Sequence, residues 1–429
     1  MLQHTNSKND DVTPFKIHVH NDDLADLQIR LALTRYPQEL NLPADAKWSY
    51  GIPVNIVKEL VEYWKTEFDW RKAESALNAK LPQYTTVIDT GTSEHGSLNI
   101  HFAHRRSSRL DAIPLLFVHG WPGNFSEISK IAEALTEPND GNQCAFHIIS
   151  PSLPGFGFSD APKAPGFNLR RIADVFDKLM KKLGYSRYVA QGGDWGSMII
   201  RGMALWHHDS CGGILNNMMI AHPTLVIRHP IMAAKLVLGY FGIPGGYSKA
   251  EIGGLISTND FTNNASAYRA IQEQTPQTLA FSMTDSPAGL LAWLAEKYML
   301  WSPDYKWNKD EILTWTMLYW IAGPAPTFRL YKEHNPGVYD DDSWKIMTAW
   351  SSVPLGVATF KDDIIQFPDD FGSMVQPLKY VKRHDCGGHH AAWEHPDFLV
   401  HDIQEFTKIV VANDPSFLGS SPPATATPS

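Results

Sequence analysis

Apolar positions recur in two distinct rhythms along this chain. Near the N terminus Leu24, Leu27 and Leu31 share one helical face, and Asn21 stands where a capping side chain would. Ile56, Val57, Leu60, Val61 and Trp64 repeat that spacing and predict a second helix. The stretches TTVIDT and LNIHFAH then alternate as strands do. From residue 113 the texture shifts to short apolar runs bounded by turns: IPLLFVHG, FHIIS, RYVAQ and GILNNMM. Helical stretches separate them. In one, Ile172, Val175, Phe176, Leu179 and Leu183 share a face; another, SMIIRGMALWHH, follows RYVAQ. Such alternation predicts an α/β chain with a mostly parallel sheet covered on both faces.

Residues 226–340 break this rhythm. They are helical in period, interrupted by Gly and Pro, and hold 8 of the 15 tyrosines and 5 of the 14 tryptophans. Strand texture returns after about residue 350 in VPLGVATF and LKYVKRHD, before an amphipathic helix from FLVHDIQEFTKIV. The expected organisation is an N-terminal domain (1–110), the first half of a βα core (111–225), a helical lid (226–345) and the second half of the core (346–415). A Ser/Thr/Pro/Ala-rich tail (416–429) is expected to be disordered.

Composition narrows the class. The chain has 429 residues, 43% hydrophobic and 19% charged, with a net charge of −9. That is an ordinary soluble composition, and its acidic balance lacks the basic footprint of a nucleic-acid binder. Cys144, Cys211 and Cys386 share no metal-ligand spacing and make no disulfide framework, which points to a reducing compartment. The polar start MLQHTNSKNDDVTPF shows no signal pattern, and no run approaches the ~20 apolar residues of a membrane span. A soluble, cytoplasmic protein without a membrane anchor is expected.

Candidate chemistry gathers at strand ends. Gln191-Gly192-Gly193-Asp194-Trp195-Gly196-Ser197 lies between a strand and a helix and has the form G-x-nucleophile-x-G, with Asp194 at its centre. An aspartate capping the following helix is the structural alternative. His119-Gly120-Trp121-Pro122-Gly123 follows an earlier strand, so the Trp121 and Trp195 backbone N–H groups are candidates for an oxyanion hole. Gly387-Gly388-His389-His390 offers a general base, with His384 and His390 competing by type. Either Asp362 or Asp363, after VPLGVATF, stands where an acid orienting that base belongs. No metal-binding spacing is present.

A carboxylate nucleophile has its own logic. Serine attack on a saturated carbon would leave an ether, which water does not readily cleave. Carboxylate attack leaves an ester whose carbonyl is open to activated water. Asp194 therefore points to alkyl electrophiles such as epoxides or haloalkanes rather than to peptides or carboxylic esters.

On the motifs HGWPG, GGDWGS and GGHHAAWEHPD, and on the segment from PFKIHVHNDDLADLQIRLALTRYP through DWRKAESALNAKLPQY, the sequence resembles epoxide hydrolases of the microsomal-type and fungal branch. The resemblance runs from about residue 14 to residue 410. It implies an α/β-hydrolase fold with a helical lid insert and an N-terminal extension domain. It also implies conversion of an epoxide and water to a vicinal diol, without cofactor or metal. SAYRAIQ and FRLYKEHNPG resemble the segments carrying that family's tyrosine pair, so Tyr268 and Tyr331 are implied as proton donors to the epoxide oxygen. The same resemblance assigns His389 as base and favours Asp363 over Asp362, although Lys361 replaces the family's proline and His390 a frequent aromatic. It further implies an apolar small-molecule epoxide as partner, a homodimer, and a role in detoxification or aromatic hydrocarbon catabolism. With its polar start the chain is more similar to the soluble fungal members than to the anchored microsomal ones. A haloalkane dehalogenase, a biosynthetic epoxide-opening cyclase and a non-catalytic binding protein of the same fold are the alternatives.

Overall fold

The computed structural model describes residues 11–334 and 341–417; Tyr339 of the aromatic insert and residues 418–429 of the tail lie outside them. Nine strands form one sheet: β1 (Thr13–Phe15), β2 (Gln83–Asp89), β3 (Ser97–Arg105), β4 (Ile113–Val118), β5 (Phe146–Pro151), β6 (Tyr188–Gly192), β7 (Cys211–Asn216), β8 (Leu355–Thr359) and β9 (Leu378–Arg383). Their order is β1-β2-β3-β5-β4-β6-β7-β8-β9. All neighbours from β5 to β9 are parallel. The pairs β1–β2, β2–β3 and β3–β5 are antiparallel. The sheet is thus mostly parallel, as the apolar runs predict.

Every residue of β4, β5, β6, β7 and β8 is buried. Strands enclosed on both faces need apolar residues at consecutive positions, which is why these segments read as runs rather than alternations. Helix Leu169–Lys182 turns Ile172, Val175, Phe176 and Leu179 inward, and Asn168 caps it by accepting from the Arg171 amide at 3.2 Å. Helix Pro396–Asn413 closes on β7 and β8 through Phe406, which lies against Gly213 and Gly356.

The N-terminal helices Asn21–Ala32 and Val54–Thr66 form where the leucine and tryptophan spacings place them. Asn21 is not the cap: it is the first helical residue, preceded by His20, and its side chain accepts from Arg71 Nη2 at 2.6 Å. The Arg71 guanidinium offers a stronger donor than a backbone amide. Both helices pack on the insert, which joins β7 to β8. Tyr63 donates to Asp310 at 3.0 Å, and Arg30 donates to the Asp285 carboxylate at 2.9 Å. Within the insert, helices Ala267–Gln274 and Ala325–Glu333 pack against each other over the carboxyl ends of the strands.

Phe406 is fully buried at the seam between helix and sheet. Phe406→Ala is expected to cost about 3–5 kcal/mol, read as a lower urea midpoint of the circular-dichroism transition. An unchanged midpoint would contradict the packing described.

Candidate active site

The carboxyl ends of four parallel strands converge on one place, where open α/β sheets bind ligands. β4 leads into His119–Gly123, β6 into Asp194, β8 into Asp362 and Asp363, and β9 into the segment from His384 to His390.

Asp194 has φ of 49°, and it is the one non-glycine at positive φ among the described residues. A β-carbon is disfavoured in this region, though aspartate tolerates it better than most residues. Its neighbours enforce the turn. A Cβ at Gly196 would fall on the Val118 carbonyl, and the space where Gly120 would carry one is filled by the Asp194 side chain. Gly193 is the N-cap and Asp194 the first residue of helix Asp194–Trp206, so the aspartate is not a helix cap. Its Oδ1 accepts from the Trp121 amide at 2.7 Å. The Trp195 amide belongs to the first turn of the same helix, whose N–H groups lack intrahelical acceptors.

The histidines sort themselves by partner. His389 places Nδ1 2.7 Å from Asp363 Oδ1 and Nε2 3.5 Å from Asp194 Oδ2. Asp363 is buried, and Oδ1 also accepts from the Ile364 amide at 2.7 Å. Asp362 instead donates its amide to the Gly387 carbonyl at 2.8 Å. His384 is bound to Asp402 at 2.7 Å and stacks between Phe360 and Phe398. His390 is enclosed by Tyr298, Trp307 and Trp315, and burial holds its pKa well below the usual value. Of the three, His389 alone faces the elbow.

Burial by itself would also depress His389. The carboxylates of Asp363 and Asp194 outweigh it and raise the imidazole to about 10. His119, behind the elbow, is the contrasting case: burial lowers it to about 4. Its Nδ1–H donates to the Gly120 carbonyl at 2.9 Å while Nε2 accepts from the Leu153 amide at 3.2 Å, a pairing suited to the neutral ring.

Tyr268 and Tyr331 come from the two packed lid helices and meet above Asp194. Their ring centroids are 6.0 Å apart. Tyr268 stacks on Trp121 at 5.2 Å, and Tyr331 stands edge-on to Trp195 at 4.8 Å. Burial, then the nearby Asp194 charge, raise the Tyr268 pKa; burial, then Tyr268 and Asp194, raise that of Tyr331. Both are held as phenols, able to donate a proton. Other lid aromatics pack away from Asp194: Tyr298, Trp307 and Trp315 cluster around His390, and Trp393, from the helix after the histidine loop, packs on Trp307 and Trp315.

Two residues that sequence pattern did not single out hold the histidine loop. The Trp301 carbonyl accepts from the His389 amide at 2.8 Å, and its ring lies 5.0 Å from the imidazole. Glu394 accepts from the Gly388 amide at 2.9 Å, the His390 amide at 2.7 Å and Ser302 Oγ at 2.7 Å. A carboxylate four to six residues beyond a Gly-Gly-His turn was the readable signal for the second.

Comparison with known proteins places this geometry in a family. Residues 12–128 match the family described as "Epoxide hydrolase N terminus", and residues 113–241 match the alpha/beta hydrolase fold. "Epoxide hydrolase 1" of Sus scrofa is 33% identical over 427 residues, covering 93% of this chain and 89% of the relative. The chain belongs to the epoxide hydrolase family. Solved structures of epoxide hydrolases show the same architecture. Juvenile hormone epoxide hydrolase from Bombyx mori superposes with a TM-score of 0.84 at 28% identity, covering 94% of this chain and 96% of that one. The Aspergillus niger epoxide hydrolase does so with 0.79 at 31%, covering 93% and 97%.

If Asp194 helps hold the charge on His389, Asp194→Asn lowers the pKa of that imidazolium. Nitrogen-15 NMR titration of the ring reads this directly, and an unshifted titration would remove Asp194 from the electrostatic account.

Proposed function

We propose that the chain hydrolyses an apolar epoxide to a vicinal diol through a covalent ester on Asp194. The observation that carries the reading is the arrangement around one carboxylate: two buried phenols above it, and a buried imidazole backed by Asp363 beside it.

Trp121 N–H fixes Oδ1 and leaves Oδ2 to attack a ring carbon of the epoxide. The carbon–oxygen bond breaks, its electron pair stays on oxygen, and Tyr268 or Tyr331 supplies the proton. An alkoxide is a poor leaving group, which gives the phenols their purpose. The rings of Trp121, Tyr268, Trp301 and Tyr331 pack on one another beside Asp194 and offer an aromatic surface suited to an apolar epoxide.

The ester changes the electrostatics. Asp194 is now neutral, so one of the two charges that raise His389 disappears. The imidazole loses affinity for its proton at the moment a base is required. His389, oriented by Asp363, takes a proton from water, and the water oxygen attacks the Asp194 carbonyl carbon. The Trp121 and Trp195 amides face the developing oxyanion. Collapse expels the diol oxygen, which takes the proton back from His389; the second water proton, left on the new carboxyl group, then restores the phenol as the Asp194 carboxylate is regenerated.

A single turnover in heavy-oxygen water is expected to place the label in Asp194 and leave the first diol unlabelled. Label found first in the diol would overturn the covalent route. Tyr268→Phe and Tyr331→Phe are each expected to slow ester formation by about 10²-fold, measured by stopped-flow tryptophan fluorescence. Substitution of either with full activity would remove that phenol from the mechanism.

A further inference from the structure

A small space adjoins Asp194 on a side away from the lid tyrosines. It measures about 20 Å³, and its walls include Gly120, Gly123, Glu127, Asp194, His389 and His390. Neither lid tyrosine lines it. It therefore borders the carboxylate without belonging to the aromatic surface assigned to the epoxide. A cavity of this size has room for about one water, provided that two to four polar groups face it.

Glu127 is the unexplained wall. It is the third residue of the short helix Phe125–Lys130, which starts after the HGWPG loop. One carboxylate oxygen is committed to the backbone, because Oε1 accepts from the Asn124 amide at 3.0 Å and completes a capping box. The second oxygen has no hydrogen-bond partner, and no lysine or arginine pairs with the carboxylate, among the described residues. An enclosed carboxylate with so little compensation is costly to keep. Burial pushes it up to about 7, with the nearby His389 opposing that shift and Asp194 adding to it. Gly123 makes its placement possible, because a Cβ there would collide with Oε1. A capping box alone accounts for the first oxygen. It does not account for a carboxylate lining the same cavity as the proposed nucleophile and base.

We propose that Glu127 holds the hydrolytic water in this cavity. The proposal rests on the covalent reading of Asp194. One hydrogen of the water points to His389 Nε2 and is the proton removed as oxygen attacks the ester carbon. The other points to the free oxygen of Glu127, which fixes the direction of attack. That hydrogen remains on the new carboxyl group and leaves when Asp194 ionises. Epoxide and water thus approach the same carboxylate from separate compartments, and the water can be in place before the ester forms.

The test separates the two half-reactions in the full chain. Glu127→Gln keeps an oxygen for the Asn124 amide. Gly123→Ala leaves Glu127 intact but displaces its carboxylate. Both are expected to form the ester within about threefold of the parent rate and to hydrolyse it about 10²-fold more slowly. Stopped-flow fluorescence gives the two rates, and intact-protein mass spectrometry shows the ester accumulating. Ester decay at the parent rate in Glu127→Gln overturns the assignment, as does slowing confined to ester formation. If Glu127→Gln does not fold, Gly123→Ala decides by the same two rates. Failure of the covalent reading looks different: no ester mass would appear even in His389→Gln, where its hydrolysis should stall.

Discussion

The left-handed backbone at Asp194 is the constraint around which the site is assembled. Strain of this kind costs about 1–3 kcal/mol and persists where surrounding structure over-determines it. Here the helix that starts at Asp194 is pressed against the end of β4 so closely that Gly196 has room for hydrogen alone. The same approach brings the Trp121 amide onto the carboxylate and leaves Gly120 no space for a side chain. A relaxed elbow would move the Asp194 carboxylate, its amide donor and the adjoining cavity together.

Electrostatic roles follow from surroundings rather than residue type. His119, His384, His389 and His390 are all buried. His119 is bound by one backbone carbonyl and one amide, His384 by Asp402, and His390 by aromatic rings. Of these four, His389 alone sits between two carboxylates, so under the covalent route proposed above its proton affinity would fall most when Asp194 is esterified. Asp363 stays as the constant partner, buried with its oxygen anchored by the Ile364 amide, which keeps the imidazole aimed at the elbow.

Much of this was legible in the chain because local chemistry and global fold agree. Consecutive apolar residues gave the buried parallel strands, and the Gly-x-Asp-x-Gly spacing gave the elbow. Three choices that rested on the family resemblance alone have their physical basis in tertiary structure. Asp362 and Asp363 are adjacent, and the turn between Phe360 and Ile364 decides which side chain reaches His389. The three histidines of the last loop look alike until Asp402 and the lid aromatics claim two of them. The lid tyrosines share one composition, and only helix packing shows that Tyr268 and Tyr331 face Asp194 while Tyr298 and Trp315 pack together. Glu127 hid behind an ordinary capping pattern, since the room its capping oxygen occupies depends on the glycine four residues before it. Asn21 failed as a cap for a similar reason: Arg71, distant in sequence, binds its side chain.

The bond from Arg30 to Asp285 spans 255 positions, and that from Tyr63 to Asp310 spans 247. The N-terminal helices are made first, yet part of their packing surface lies on helices made much later. At roughly 5–20 residues per second, the ribosome needs about 10–50 s to produce the missing partner. During that interval the apolar faces of Asn21–Ala32 and Val54–Thr66 lack the insert that covers part of them. Such distant contacts carry a large loop-closure entropy and form late. The seam between the oldest and newer parts of the chain therefore makes this fold most vulnerable to misassociation while it is being synthesised, long before any epoxide is met.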